Sequence, residues 1–446
     1  MASAYLSKTL GSGNKDKWTF SCWVKRHSTG AIHPLFHCDD GTSNYYTHIS
    51  FHDTDQLFFQ NRWNNTNDGY KITTRLFRDT NAWYHLQFVW DSGNATADDR
   101  QIIYVNGERL TGFSGANIAV TQDRNTTIND GYEHRIGRGD TGFNSSQYAD
   151  ITLTHIHFTD GYAYAPTAFG ETDSTSGIWK PKTSPSVSYG TNGFFLDMAD
   201  SSALGDDESG NTNDFTVNGT ITQTEDTPSN NFCTLNPLDV GRWQQSNTFS
   251  NGNLTVTTSD YIAANGSLAV SSGKWYWEVE YENSSASNIY AGAGIINFDG
   301  WDGQNAGGSG AYTYIYATSG QKVNNASGSS FGATLSAGDI VGIALDLDNG
   351  FLYFSKNGTW QNSGDPTSGA TGTGNAFSSL SGTFTAHCSD PHDGQDHDFK
   401  FNFGNGYFGT TAVASSNSDS AGLGLFEYSV PSGYYSICTK NIKNYG

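Results

Sequence analysis

Trp83–Trp90 (WYHLQFVW), a polar turn and Gln101–Glu108 (QIIYVNGE) make one strand-turn-strand unit. About 250 residues later a second unit runs through Asp339–Asp348 (DIVGIALDLD), Asn349-Gly350 and Phe351–Trp360 (FLYFSKNGTW). In each, a strand of period-two polarity is followed by a hairpin and a second strand closed by Asn-Gly, at Asn106-Gly107 and Asn357-Gly358. Alternation marks a strand with one face in a core, and Asn-Gly supplies the positive φ angles of a tight hairpin. The pair predicts an all-β chain of two antiparallel sandwich domains built on related plans. Neither unit carries a catalytic signature, so the repeat points to binding or structure before chemistry.

Composition agrees with that reading. A chain of 446 residues allows two or three domains, each able to bury its own core. Aromatic residues reach 14%, glycine is abundant at 52, and Met (2) and Pro (9) are scarce, the profile of many short strands joined by tight turns. No sustained 3.6-residue apolar stripe and no heptad occurs, which argues against a coiled-coil stalk. A net charge of −21 repels nucleic acid and anionic membrane surfaces, because phosphate binding needs clustered Lys and Arg. The first residues (MASAYLSKTLGSGNKDK) lack the apolar core of a signal peptide, and no run approaches the length of a membrane-spanning helix. Synthesis in a cytoplasm without standard export is expected. Five dispersed cysteines (Cys22, Cys38, Cys233, Cys388, Cys438) form no CxxC and are read as buried small side chains.

Three regions follow from the pattern. Residues 1–165 hold strands predicted at Trp18–Lys25, His33–Cys38, Tyr46–Phe51, Gln56–Gln60, Lys71–Leu76 and Ile151–Phe158, with turns at Asp39-Asp40-Gly41 and Asn67-Asp68-Gly69. The strands WTFSCWVK, WYHLQFVWD and IIYVNGE resemble a laminin-G-like, concanavalin-A-type jelly roll. Residues 166–240 have lower apolar density and read as a connector with one or two strands, at Gly193–Met198 and Phe215–Thr222, packed against a neighbouring sandwich. Residues 241–446 contain GKWYWEVEYE, YAGAGIINF, the DIVGIALDLDNGFLYFSKNGTW hairpin and FKFNFG in an order that resembles a SPRY domain, followed by a C-terminal extension. That resemblance implies partner binding through loops at one end of a sandwich.

The combination adds a further resemblance. The laminin-G-like start, the GETD…GIWKPK…YGTNGFFLD…DESGNTNDF…TPSNNFCTLNPL section, the SPRY-like unit and the VPSGY…CT ending are together similar to tail fibre proteins in virions of tailed phages from marine bacteria. The resemblance implies a virion structural protein that assembles with other virion proteins, as a homo-oligomer, and engages a host-cell surface glycan or receptor. A capsid or tail decoration protein is the alternative it leaves open.

Several segments concentrate groups that could carry chemistry. On Trp275–Glu282 the spacing puts Glu278, Glu280 and Glu282 on one strand face, about 7 Å apart and within the range of glycosidase carboxylate pairs. The plainer reading is an exposed acidic face over a core of Trp275, Trp277, Val279 and Tyr281. His387–Asp398 concentrates imidazoles and carboxylates without a structural zinc spacing and reads as a solvated loop. Asp206–Asp214 could offer oxygens to Ca²⁺ but lacks a regular ligand period, and a turn-rich connection is the simpler reading. His33 and His37 fit a strand face; no Ser-His-Asp set follows from spacing alone, and no Gly loop ends in Lys-Ser/Thr. No catalytic residue, metal ligand or cofactor is therefore predicted, and the protein is expected to be non-enzymatic. The ligand candidates are loop aromatics beside amides and carboxylates: Trp301, Asp302, Asn305, Tyr312 and Tyr314 in one region, Arg62 and Trp63 in another. An indole offers a sugar's C–H face a flat apolar platform while polar neighbours take its hydroxyls.

Overall fold

A computed structural model describes residues 3–139, 147–239, 247–257, 262–282, 291–300, 312–325, 327–390 and 397–446. It divides into two compact units, Met1–Gln223 and Thr224–Gly446. Among the described residues no helix is long and apolar enough to cross a membrane.

The first unit is a sandwich of two antiparallel sheets. One has eight strands in the order Phe113–Ile118, Thr66–Leu76, Gln56–Trp63, Tyr46–Phe51, His33–Asp39, Glu133–Ile136, Tyr5–Thr9, Thr216–Asn218. The other has six, in the order Phe194–Leu196, Ile151–Asp160, Lys17–Arg26, Trp83–Asp91, Gln101–Val105, Glu108–Arg109. Alternate residues of each sheet meet between them: Phe20 stacks on Phe36 with centroids 4.6 Å apart, and Phe59 meets Phe88 edge-on at 5.7 Å. The predicted core face Trp18, Phe20, Cys22, Val24 lies in this cluster.

The other face of Lys17–Arg26 is buried too, which simple alternation does not foresee. Residues 162–181 cover it. Thr19 donates its hydroxyl to Tyr162 O, Trp23 stacks on His85 at 5.1 Å, and the Trp179 indole N–H donates to His85 Nδ1 at 3.0 Å. Trp179 can lie this close because Gly107 and Gly170 leave no Cβ in its way. The stretch 166–240 thus contributes edge strands to both sheets and an aromatic cover to one.

One turn departs from the sequence reading. Asn67-Asp68-Gly69 lies inside the strand Thr66–Leu76, and the chain reverses at Asn64-Asn65, both at positive φ (49° and 62°). Two left-handed residues in succession make the hairpin, and Asn adopts that region more readily than other non-glycine residues. Gly69, within the strand, combines a positive φ of 96° with close packing, since a Cβ there would meet Val120 and Trp90.

The second unit repeats the plan. Its larger sheet runs Thr248–Ser250, Thr255–Thr257, Phe399–Asn402, Lys274–Tyr281, Ile340–Asp346, Phe351–Lys356, Thr359–Trp360, with Tyr435–Ser436 added parallel to Lys274–Tyr281. The smaller runs Ile262–Asn265, Phe384–Asp390, Gly292–Asn297, Thr313–Ala317, Gln321–Asn324, Ser327–Ser330. Trp275, Trp277, Val279 and Tyr281 enter its core as their spacing predicts, and all five cysteines of the chain are buried thiols outside any disulfide.

The two hairpins share an atomic detail. Asn106 N–H donates to His85 O, and its side-chain oxygen accepts from His85 N–H, each at 2.8 Å. Asn357 makes the same reciprocal pair with Ile340, again 2.8 Å both ways. The Asn side chain acts as one more rung of the ladder, which fixes register where the strands separate.

Candidate functional site

The Gln56–Trp63 strand and its Asn64-Asn65 turn project one candidate cluster at an end of the first sandwich. Consecutive strand residues face opposite sides, so Arg62 and Trp63, paired in the sequence reading, are separated by the pleat. Trp63 is half-buried, with Tyr45 edge-on at 5.0 Å and 89° and the Arg124 guanidinium 5.6 Å from its ring centre. Arg124 is held in turn by Asp68 at 2.5 Å, and Asp68 also accepts the Thr121 N–H at 2.7 Å. Exposed Asn44, Asn64 and Asn65 border this cluster in sequence. The indole is thus oriented before any ligand arrives, a favourable state for binding because little side-chain entropy remains to be lost.

Arg62 belongs to the other side. Its guanidinium bonds the Asn65 side-chain oxygen and lies 5.9 Å from the Tyr46 ring centre. Tyr46 donates to Gln60, and Gln60 to Asn67, which continues a polar row across three strands. The row runs on through buried histidines. His37 Nε2 bonds Asp39 at 2.8 Å, and His37 Nδ1 lies 3.1 Å from His48 Nδ1. Burial works to raise the Asp39 carboxyl, but His37, the Gly41 N–H and Arg135 outweigh it and hold it at about 2. Burial also drives His48 well below the usual imidazole range.

In the second unit, Tyr312 is 38% exposed just before the strand Thr313–Ala317. Tyr314 packs edge-on against Phe377 at 5.3 Å and Phe384 at 6.2 Å, and burial raises its hydroxyl pKa. It is half-buried and packs against the core beside Tyr312. Trp301, Asp302 and Asn305 lie outside the described residues.

The constellations that suggested chemistry are engaged internally. Glu278 does not belong to an exposed acidic face: it is buried, because residues 426–434 fold over that half of the sheet. Its carboxylate accepts the Tyr276 hydroxyl (3.0 Å), Asn402 Nδ2 (3.3 Å) and the N–H groups of Glu427 (2.9 Å) and Tyr428 (2.8 Å). Glu282 pairs with Lys400 at 2.9 Å, and Glu280 lies 4.0 Å from the same ammonium. At the described ends of the His-rich segment, His387, Asp390 and His397 are all buried rather than solvated, with His397 bonded to Asp390 and His387 to Asn265; Pro391–Asp396 lie outside the described residues.

In the Asp206–Asp214 stretch, Asp207 accepts the N–H groups of Phe195, Ser209 and Asn213. Asn211 and Asn213 donate to Gly193 O. The acidic stretch ties the turn to the strand Phe194–Leu196. Among the described residues no group of three or more His, Cys, Asp or Glu is placed to hold a metal ion.

Folding does assemble one Ser-His-Asp trio that spacing does not reveal. Ser28 Oγ lies 3.1 Å from Asp150 and 3.3 Å from His33 Nε2. The Asp150 N–H donates to His33 Nδ1 at 3.0 Å, so the neutral ring carries its proton on Nε2, directed at Ser28 O at 3.2 Å. Burial brings His33 down to about 4. A ring that presents N–H to the hydroxyl cannot take its proton, so the trio closes a loop and does not activate a nucleophile.

Comparison with known families places these geometries. Residues 2–157 match the laminin-G-type family described as the Concanavalin A-like lectin/glucanases superfamily, and residues 274–405 match the SPRY domain. The chain carries a laminin-G-like, concanavalin-like sandwich followed by a SPRY domain. No curated protein matches it. Among solved structures, the SPRY domain of human HERC1 is 16% identical over 37% of this chain and 96% of that one, with a TM-score of 0.30. The TRIM65 PSpry domain is 15% identical over 38% and 91%, TM-score 0.28. A heptameric SAP-like pentraxin from Limulus polyphemus is 16% identical over 37% and 73%, TM-score 0.25.

Proposed function

We propose that this protein is a non-enzymatic binding component of a virus particle, a tail fibre or receptor-binding protein that engages a host-surface glycan or protein through loops at the sandwich ends. Laminin-G-like and SPRY sandwiches often serve as binding modules, and function must be argued from the site rather than the fold. The observation that carries the reading is the contrast between the clusters. Trp63 is held half-exposed by Tyr45 and by an Arg124–Asp68 pair, whereas Glu278, Asp207 and Ser28-His33-Asp150 are turned inward on the chain's own donors and acceptors. The virion assignment rests on the sequence blocks set out above.

Trp63→Ala is the direct test. An aromatic anchor at the centre of a binding patch contributes about 2 kcal/mol or more, so adsorption of particles to host cells should fall at least about tenfold. Particle yield and the unfolding midpoint should hold near their original values. Undiminished adsorption, with correctly assembled particles, would remove the Trp63 cluster from the proposal.

A decoration role is the second reading, and one feature favours it. Ser327–Ser330 is the outermost strand of its sheet, and all four of its residues are exposed. An open strand edge is a surface on which another chain can add by main-chain hydrogen bonds. Failure of particles to assemble after Ser329→Pro, with adsorption of the remainder intact, would favour this reading over the first.

A further inference from the structure

The sequence holds eight Asn-Gly pairs, at Asn106, Asn192, Asn218, Asn251, Asn265, Asn349, Asn357 and Asn405. In an Asn-Gly pair the glycine amide nitrogen can attack the asparagine side-chain carbonyl, because no glycine Cβ hinders the approach. The N–Cγ bond forms and the Cγ–Nδ2 bond breaks; the amide nitrogen leaves as ammonia with the proton shed by the backbone. Water then opens the cyclic imide at either carbonyl, giving Asp or its β-linked isomer. Nothing but water is consumed.

Seven of the pairs are restrained by the fold. Asn192 and Asn265 are buried with both ends of the amide group engaged or enclosed: Asn192 Nδ2 bonds Gly11 O and Asn129, and Asn265 bridges Asp239 and His387. Asn405 is buried, and the Gly406 N–H that would attack is donated to Asn402. Asn106 is locked by its pair with His85, and Asn218 Nδ2 donates to Ser7 and to Thr216 O. Asn349 donates both its N–H and its side-chain amide to Asp346. Asn357, although exposed, is held at both ends, its oxygen by Ile340 N–H and its nitrogen by Asp339 at 2.7 Å.

Asn251 combines exposure with partners drawn from its own turn. It is exposed at the tip of the hairpin joining Thr248–Ser250 to Thr255–Thr257, and among the described residues its amide nitrogen reaches hydroxyls of its own turn, Thr255 at 3.1 Å and Ser250 at 3.5 Å. The turn passes through three left-handed residues in a row, Asn251 (φ 52°), Gly252 (71°) and Asn253 (61°). Two of these are not glycine, so the turn gains by relaxing away from that region.

We propose that Asn251 is the site at which this chain deamidates, and that the fold protects the other seven Asn-Gly pairs. The product adds a negative charge to an already acidic chain. Its β-linked form also inserts one extra atom into the main chain beside the edge strand Thr248–Ser250, whose Phe249 packs against the second core. The edge should loosen as the protein ages.

The test follows the folded full-length chain in mildly alkaline buffer, with peptide mapping and enzymatic labelling of β-linked aspartate. Breaking a restraining hydrogen bond costs about 1 kcal/mol or more, so conversion at Asn251 should lead each restrained pair by about fivefold or more. The same chain held unfolded in urea should lose that ordering, with all eight pairs reacting at comparable rates. Asn251→Gln should remove the earliest product from the folded sample. Faster conversion at Asn357 or Asn349 would overturn the proposal, as would a lead at Asn251 that persists in urea.

Discussion

Glu278→Ala is expected to free the C-terminal segment from the second sandwich and to cost that unit about 4 kcal/mol. The carboxylate answers four donors in a buried place, two of them main-chain N–H groups of Glu427 and Tyr428. An unanswered buried donor costs about 1–3 kcal/mol, and the backbone cannot turn either N–H toward water without lifting the segment. Lifting it would uncover Phe426 and Tyr434, which pack with Tyr276, Ala344 and Tyr353 in a small core of their own. Limited proteolysis should then cut between residues 413 and 434 faster than it does in the native chain.

Glu278→Gln separates charge from hydrogen bonding. The amide turns two N–H groups toward donors, a loss of about 2 kcal/mol. Its pH dependence differs from that of the native chain. Burial pushes the Glu278 carboxyl up from 4.5 to about 7, against the pull of the Glu427 and Tyr428 N–H groups. A folded pKa above the unfolded one means that the folded state binds the extra proton between those values. The stabilisation is complete below about pH 4.5 and is lost as pH rises through about 7. Between about pH 5 and pH 8 the native unit should therefore lose about 2 kcal/mol that Glu278→Gln does not lose. Urea unfolding of both forms measures the gap. A gap that is constant, or that widens toward alkaline pH, would show that the four donors and not burial govern this carboxyl.

What could be read in the sequence was what local periodicity encodes. The hairpin strands, the Trp18–Val24 and Trp275–Tyr281 core faces and the Asn-Gly closures depend on neighbours one to twenty residues away, and the structure reproduces them. The misplaced turn at Asn67-Asp68-Gly69 shows the limit: three good turn residues stood inside a strand because Asp68 was needed by Arg124 and Thr121, more than fifty residues downstream. The fate of Glu278 depends on Glu427 and Tyr428, about 150 residues on, and no spacing within Trp275–Glu282 could reveal it. Arg62 and Trp63 illustrate a legible point that adjacency obscured, since the strand period alone puts them on opposite sides. Tyr45 and Arg124, which fix the indole, carried no local signal at all.

Trp18→Ala should be the most damaging single change in the first unit. Trp18 is fully buried and parallel to Trp90, with centroids 6.4 Å apart and planes at 8°, and Phe59 and Phe158 close the remaining sides at 5.8 and 6.1 Å. Its indole N–H is also used, donating to Thr126 Oγ1 at 3.0 Å. Removing a buried indole costs about 3–5 kcal/mol, through lost transfer energy and the cavity that the two sheets cannot close. Trp18→Phe refills most of that space and forfeits the bond to Thr126, so its cost should be about 1–2 kcal/mol. Thr126 still donates to Lys15 O and Ile128 O, which limits the polar share of the loss. The cores of the two units share no residue, so hydrogen exchange should locate the loss of protection within residues 1–223. A loss below about 1 kcal/mol for Trp18→Ala would mean that the stacked pair at the centre of this sandwich is not what holds its sheets together.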